Sequence, residues 1–199
     1  MAEDISRRGL FGLAMGAAAT VSFASPALAK HGTSHIKHVH HKIHAHPAVP
    51  ERQISLINIH TQERTSLVYW RHGKYLTPAL HHINHVMRDN HNNRIHHMDP
   101  RLLDLLHDLH RNLGGSEPFD LICGYRSPQT NAWLRRHTGG VAVNSLHLKG
   151  QAADVQLPGV SLERLHNTAL HMARGGVGYY PRSDFVHVDT GKVRQWEFG

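Results

Sequence analysis

Five leucines three or four positions apart, Leu102, Leu105, Leu106, Leu109 and Leu113, paint one continuous apolar stripe on any helix that spans them. Asp99-Pro100 starts such a helix, with a capping carboxylate and a proline at the first helical position, and Gly114 stops it. A stripe that wide must be covered by a second apolar layer. Short strand-like runs supply one: Ile54 to His60, Phe119 to Ile122, Ala152 to Leu157, Val177 to Tyr180 and Phe185 to Asp189. Leu67 to Trp70, Arg71-His72-Gly73-Lys74 and Tyr75 read as a hairpin. Three more helices are predicted. Thr77-Pro78 opens one with Leu80, Ile83 and Met87 inward. Ser127-Pro128 opens one ending near Arg136. Ser161 caps one with Leu162, Leu165, Ala169 and Met172 inward. Helices and strands mostly segregated along the chain predict a single α+β domain.

That domain is expected over residues 51–199, behind two other segments. Residues 1–29 read as an export signal. Ser6-Arg7-Arg8-Gly9-Leu10-Phe11 opens a small-residue-rich apolar stretch, and Ala27-Leu28-Ala29 fits the cleavage rule. The paired arginines look like a twin-arginine signal, which predicts a periplasmic destination. An ordinary secretory signal is the alternative. An uncleaved anchor from Gly9 to Ala29 fits less well, because the stretch is rich in Gly, Ala and Ser. After cleavage no membrane span is expected. Residues 30–50 hold seven histidines with little periodicity and read as a disordered linker, with incidental affinity for zinc, copper or nickel.

The chain carries 22 histidines and a formal charge of +7, which favours anionic partners. No basic run interleaved with aromatics is present, which argues against nucleic acid. The single cysteine, Cys123, excludes an intrachain disulfide, and its run Leu121-Ile122-Cys123 predicts a buried, inert thiol.

The chemistry concentrates late in the chain. His147 precedes Asp154 by seven positions, with Gly150 permitting a turn and Ala152 and Ala153 permitting close approach. A carboxylate inside the apolar run Ala152 to Leu157 needs a partner. In Phe185-Val186-His187-Val188-Asp189, period-two alternation puts Phe185, His187 and Asp189 on one face. If the two strands lie side by side, His147, Asp154 and His187 converge as a zinc site with a fourth position open to water. By spacing alone, the alternative is that these histidines are surface or core groups, since chance pairs are common in so histidine-rich a chain.

The wider sequence resembles the LAS zinc metallopeptidases, the group of lysostaphin, the D-alanyl-D-alanine peptidases and the hedgehog signalling domain. More narrowly it is similar to YcbK/MepK-type murein endopeptidases. The phrases that carry this are Ile59-His60-Thr61, Tyr69-Trp70, Met98 to Asp104, Gly124-Tyr125-Arg126-Ser127-Pro128 with Thr130-Asn131, Ser145-Leu146-His147, Gly175 to Pro181 and Phe185 to Gly191. The resemblance spans about residue 52 to Trp196. It implies a hedgehog-like fold with a small antiparallel sheet and flanking helices. It also implies Zn2+ held by His147, Asp154 and His187, and cleavage of peptidoglycan peptides. The bond would join two diaminopimelate residues, or D-alanine to diaminopimelate. It names no adaptor lipoprotein.

The resemblance also puts Arg126 at the active site, where a guanidinium binds a substrate carboxylate or an oxyanion. A structural ion pair is the alternative. An acidic residue three before the last zinc histidine makes Asp184 the first candidate for general base, although alternation points it away unless the strand start bends. Asp189 is the second candidate, or else a residue that orients a ligand. Ser145 is expected to hydrogen-bond near the site and not to act as a nucleophile. Tyr179 and Tyr180 are expected to line the cleft or pack. His96, His97, His107 and His110 are expected on the surface. The rival functions are a D,D-carboxypeptidase and a non-catalytic murein-binding or metal-binding protein.

Overall fold

The structure is a computed structural model that describes residues 50–199. The readings of residues 1–29 and, apart from Pro50, of the linker fall outside the described residues. Among the described residues no helix is long and apolar enough to cross a membrane.

Among the described residues, eight strands and four helices form an α+β domain, as the sequence predicts. The strands are β1 Arg52–Asn58, β2 Arg64–Arg71, β3 Lys74–Tyr75, β4 Phe119–Cys123, β5 Ala152–Gln156, β6 Gly176–Tyr180, β7 Phe185–Asp189 and β8 Arg194–Glu197. The helices are α1 Thr77–Val86, α2 Pro100–Leu113, α3 Pro128–His137 and α4 Leu162–Met172. One sheet runs β3-β2-β1-β4-β5-β7-β6-β8. It is larger than the small antiparallel sheet expected and it is mixed: β1 pairs parallel with β4, and β6 parallel with β8. The chain passes through α1 and α2 between β1 and β4, and through β7 between β6 and β8, so neither parallel pair is joined by a tight turn.

Local chemistry accounts for the helices. The Asp99 carboxylate accepts from the Arg101 amide, Ser127 from that of Thr130 and Ser161 from that of Arg164. Gly114, at φ 63°, closes α2 in the left-handed region. At α1 the cap position falls on Leu76 and not on Thr77, and no side chain caps it.

The leucine stripe of α2 is buried together with Leu165 and Ala169 of α4. Against it lie Ile54, Leu56, Phe119, Leu121, Val155, Val186 and Val188, all nearly inaccessible. Each such side chain contributes about 1.5–3 kcal/mol when fully buried. The helices thus take one set of alternating strand positions. The other set, which includes Asp154 and His187, is left for chemistry.

Strand β8 is absent from the sequence reading. Arg194-Gln195-Trp196-Glu197 has no apolar alternation and is mostly exposed. Tertiary contacts hold it: Arg194 bonds Asp189, and the Trp196 ring lies against Gly178.

Candidate metal centre and active site

Cross-strand register assembles the site. Asp154 on β5 stands opposite His187 on β7, and Cys123 on β4 stands opposite Asp154. Gly178 on β6 continues the row beside His187. A Cβ at Gly178 would lie 2.6 Å from the Trp196 ring, so only glycine leaves that ring its place, 5.1 Å from His187 between centroids.

His147 arrives from above the sheet on a single 3-10 turn, Leu146–Lys149. Ser145 caps the turn by accepting from the His147 amide at 3.4 Å, the supporting role expected of it. Gly150 ends the turn at φ 64°, where a Cβ would sit 2.4 Å from the His97 carbonyl oxygen. The chain then runs directly into β5, which brings His147 and Asp154 together.

The hydrogen bonds settle the tautomers. His147 Nδ1 donates to the Gly124 carbonyl at 2.7 Å, leaving a lone pair on Nε2. His187 Nε2 donates to Asp189 Oδ2 at 3.0 Å, leaving a lone pair on Nδ1. These two free nitrogens are 3.1 Å apart. Asp154 Oδ1 lies 2.8 Å from His187 Nδ1 and 3.2 Å from His147 Nε2. Three acceptors converge with no donor of their own between them. Tetrahedral zinc with bonds of about 2.0–2.1 Å needs donors about 3.3 Å apart, so the residues present fit the ion.

The groups are 2% (His147), 5% (Asp154) and 7% (His187) exposed. Burial pushes the Asp154 carboxyl up, but the two imidazoles outweigh it and hold it well below the usual carboxylate range. Burial likewise lowers His147, yet Asp154 and Cys123 drive it up to about 10. Both shifts express the mutual attraction of imidazole and carboxylate groups brought together out of water.

Arg126 reaches the same place. Its amide donates to the His147 carbonyl at 3.1 Å, and its Nη2 lies 3.7 Å from Asp154 Oδ2. The buried Nε has no partner among the described residues. Arg126, Cys123, His147, Asp154, His187, Tyr180 and Trp196 share the wall of one cavity of about 410 Å³.

Asp184 and Asp189 are placed very differently. Asp184 is exposed, in the turn before β7, at φ 55°. That left-handed backbone interrupts the alternation of β7, but Asp184 itself is not among the cavity-lining residues. Its neighbours Ser183 and Phe185 belong to the cavity wall. Asp189 is 0% exposed. Its Oδ1 accepts from the Gly176 and Gly191 amides and Arg194, and its Oδ2 from His187 and Arg194. An oxygen pair so occupied has no room to take a proton from water.

Three placements differ from expectation or refine it. Cys123 is half-buried and lines the cavity, not the core. Tyr180 lines the cavity and accepts from Trp196 Nε1 at 2.9 Å, while Tyr179 stacks on His166. His107 and His110 do not share a ligand: they bond the separate carbonyls of Gln53 and Glu117. Trp196 was missed for the same reason as its strand.

Comparison with known proteins agrees with this geometry. The family described as peptidoglycan L,D-endopeptidase MepK matches residues 46–196.

The chain belongs to the MepK family.

The peptidoglycan L,D-endopeptidase MepK of Escherichia coli K12 is 45% identical over 145 residues, covering 73% of this chain and 80% of that protein. A probable peptidoglycan L,D-endopeptidase MepK of Haemophilus influenzae is 42% identical over 147 residues, covering 73% and 79%. No solved structure matches the chain. The MepK match takes in every residue of the metal cluster, together with Arg126, Asp184 and Asp189.

Proposed function

We propose that this chain is an exported, zinc-dependent murein endopeptidase that hydrolyses an L,D peptide cross-link of peptidoglycan. The observation that carries the reading is the convergence of His147 Nε2, Asp154 Oδ1 and His187 Nδ1, 2.8–3.2 Å apart, beside Arg126 in a cavity of a MepK-family chain. The L,D designation in the relatives' names supports one of the two candidate bonds. D-alanine to diaminopimelate joins two D centres, whereas diaminopimelate to diaminopimelate joins an L centre to a D centre. The second is the bond we assign to this chain. The formal charge of +7 suits a polymer rich in free carboxylates. Action on the wall requires export, and the segment at 1–29 is suited to the twin-arginine route and a periplasmic destination.

A zinc ion held by His147, Asp154 and His187 supplies Lewis acidity and a water whose pKa falls to about 7. Asp189 orients His187 and keeps its Nδ1 unprotonated. Gly124 does the same for His147 through its carbonyl. Arg126, with an Nε free of partners, takes up negative charge as the scissile carbonyl oxygen becomes an oxyanion. Asp184, in the turn between the cavity-lining residues Ser183 and Phe185, would accept the proton of the attacking water and pass it to the leaving amine. The cavity of about 410 Å³ is of the size that takes a small peptide segment.

The test is digestion of defined muropeptides, some cross-linked between two diaminopimelates and some between D-alanine and diaminopimelate, read by mass spectrometry. Cleavage of the first set, lost with chelator and in His147→Ala, is expected. Cleavage only of terminal D-alanine would make the protein a carboxypeptidase. Binding without cleavage by the zinc-loaded protein would leave it a murein-binding domain. Zinc bound at many equivalents and unaffected by His147→Ala would mark a metal-storage protein.

A further inference from the structure

Cys123 stands where strict alternation would not put it. Phe119 and Leu121 face the helices, and a residue two further on would follow them. The pairing of β4 with β5 slips between Leu121 and Cys123, so that Leu121 faces Val155 but Cys123 faces Asp154. Such a bulge re-aims a side chain, and here it turns the thiol from the core to the metal row. Its Sγ and the ligand atoms of His147 and Asp154 all lie within 4.8 Å of one another. His187 is not in that group, and a tetrahedral site with Zn–S of about 2.3 Å and Zn–N of about 2.0–2.1 Å, which places sulfur and nitrogen about 3.5 Å apart, requires Sγ to close on His187 Nδ1 as well. Arg126 Nη2 donates to Sγ at 3.5 Å.

We propose that Cys123 is the fourth protein donor to the metal in the substrate-free enzyme, closing the site until a substrate displaces it. This rests on the metal reading above. The lone pairs of His147, Asp154 and His187 already point to an ion independently of the thiol. Thiolate is a soft donor well suited to zinc, and together with Asp154 it balances the charge of a divalent ion. The thiol proton goes to solvent as metal binds. When a substrate arrives, the bond between sulfur and the metal would break, a substrate or water oxygen would take the vacated position, and the released thiolate would recover a proton from solvent. With the sulfur gone, the Arg126 guanidinium that held it would become available to the carbonyl oxygen. Arg126 therefore would exchange the thiolate for the carbonyl oxygen while staying beside Asp154.

Cobalt separates the possibilities without an activity assay. Wild-type full-length protein, stripped with chelator and loaded with one equivalent of Co2+, should show intense visible bands of four-coordinate cobalt and a near-ultraviolet thiolate-to-cobalt charge-transfer band. Cys123→Ser should keep visible cobalt bands and lose the charge-transfer band, which shows that the variant is folded and metallated. Visible bands without charge transfer in the wild type would overturn the role of Cys123 while leaving the three-donor site intact. No cobalt bands in either protein would overturn the metal reading itself, and this inference with it. As a second measure, iodoacetamide should alkylate Cys123 at least tenfold more slowly in the zinc-loaded protein than in the stripped protein. Equal rates, read by mass spectrometry, would also sink the inference.

Discussion

His187 and Asp189, two residues apart on β7, are joined by a 3.0 Å hydrogen bond from Nε2 to Oδ2. The bond leaves His187 to face the metal cluster through Nδ1. The carboxylate is anchored in turn by two backbone amides and by Arg194. Asp189→Asn keeps the shape but places an NH2 against some of these donors. Zinc affinity should fall by about 10–100-fold, the usual cost of losing such an orienting partner. Competition with a chromophoric chelator measures it, and unchanged affinity would mean that His187 is held by packing alone.

Arg126→Lys should retain zinc and lose turnover. Lysine keeps the charge but cannot present the planar fork, and losing an oxyanion donor costs about 10²–10³ in kcat. Muropeptide turnover per bound zinc is the readout. Normal turnover would reduce Arg126 to the structural partner of Asp154.

Asp184→Ala should lower kcat by about 10²–10⁴, the range for a general base, and remove the acidic limb of the pH–rate profile. Zinc content should not change, because Asp184 is exposed in the turn before β7. A variant as active as the wild type would pass the role of base to another group.

Asp104 tests the frame behind the site. Buried on α2, it accepts from Tyr69 at 3.0 Å and Tyr75 at 2.6 Å and pairs with Arg52 at 2.6 Å. Asp104→Ala orphans the buried Tyr69 hydroxyl and unpairs Arg52, which is 37% exposed and counts for little. A loss of about 1–3 kcal/mol follows from the orphaned group, visible as a lower urea midpoint at constant slope.

Glu63 should shape the acid limb of stability. Its hydrogen bond from Arg88 is the main cause that lowers its pKa to about 2 from an ordinary 4.5. Because the folded value is the depressed one, this contribution is complete above about pH 4.5 and is lost as pH falls toward 2. Glu63→Gln should flatten thermal stability over that window and leave neutral-pH metal binding unchanged. Parallel melting curves for the two proteins across it would refute the assignment.

The elements themselves were written locally. The leucine spacing between Asp99 and Gly114 determined α2, since periodicity and caps act over one or two turns. Alternation likewise determined which side of β7 carries His187 and Asp189. The candidate ligands were also legible, through a carboxylate in an apolar strand and the phrases shared with known peptidases. Tertiary structure alone decided the rest. The two parallel pairs and the edge strand β8 depend on contacts between distant segments, and Arg194 to Glu197 carries no pattern of its own. The saturation of Asp189 by Arg194 and two amides is invisible until the chain closes. The face taken by Cys123 turned on a one-residue slip between β4 and β5, because register is a property of two strands and neither strand encodes it alone.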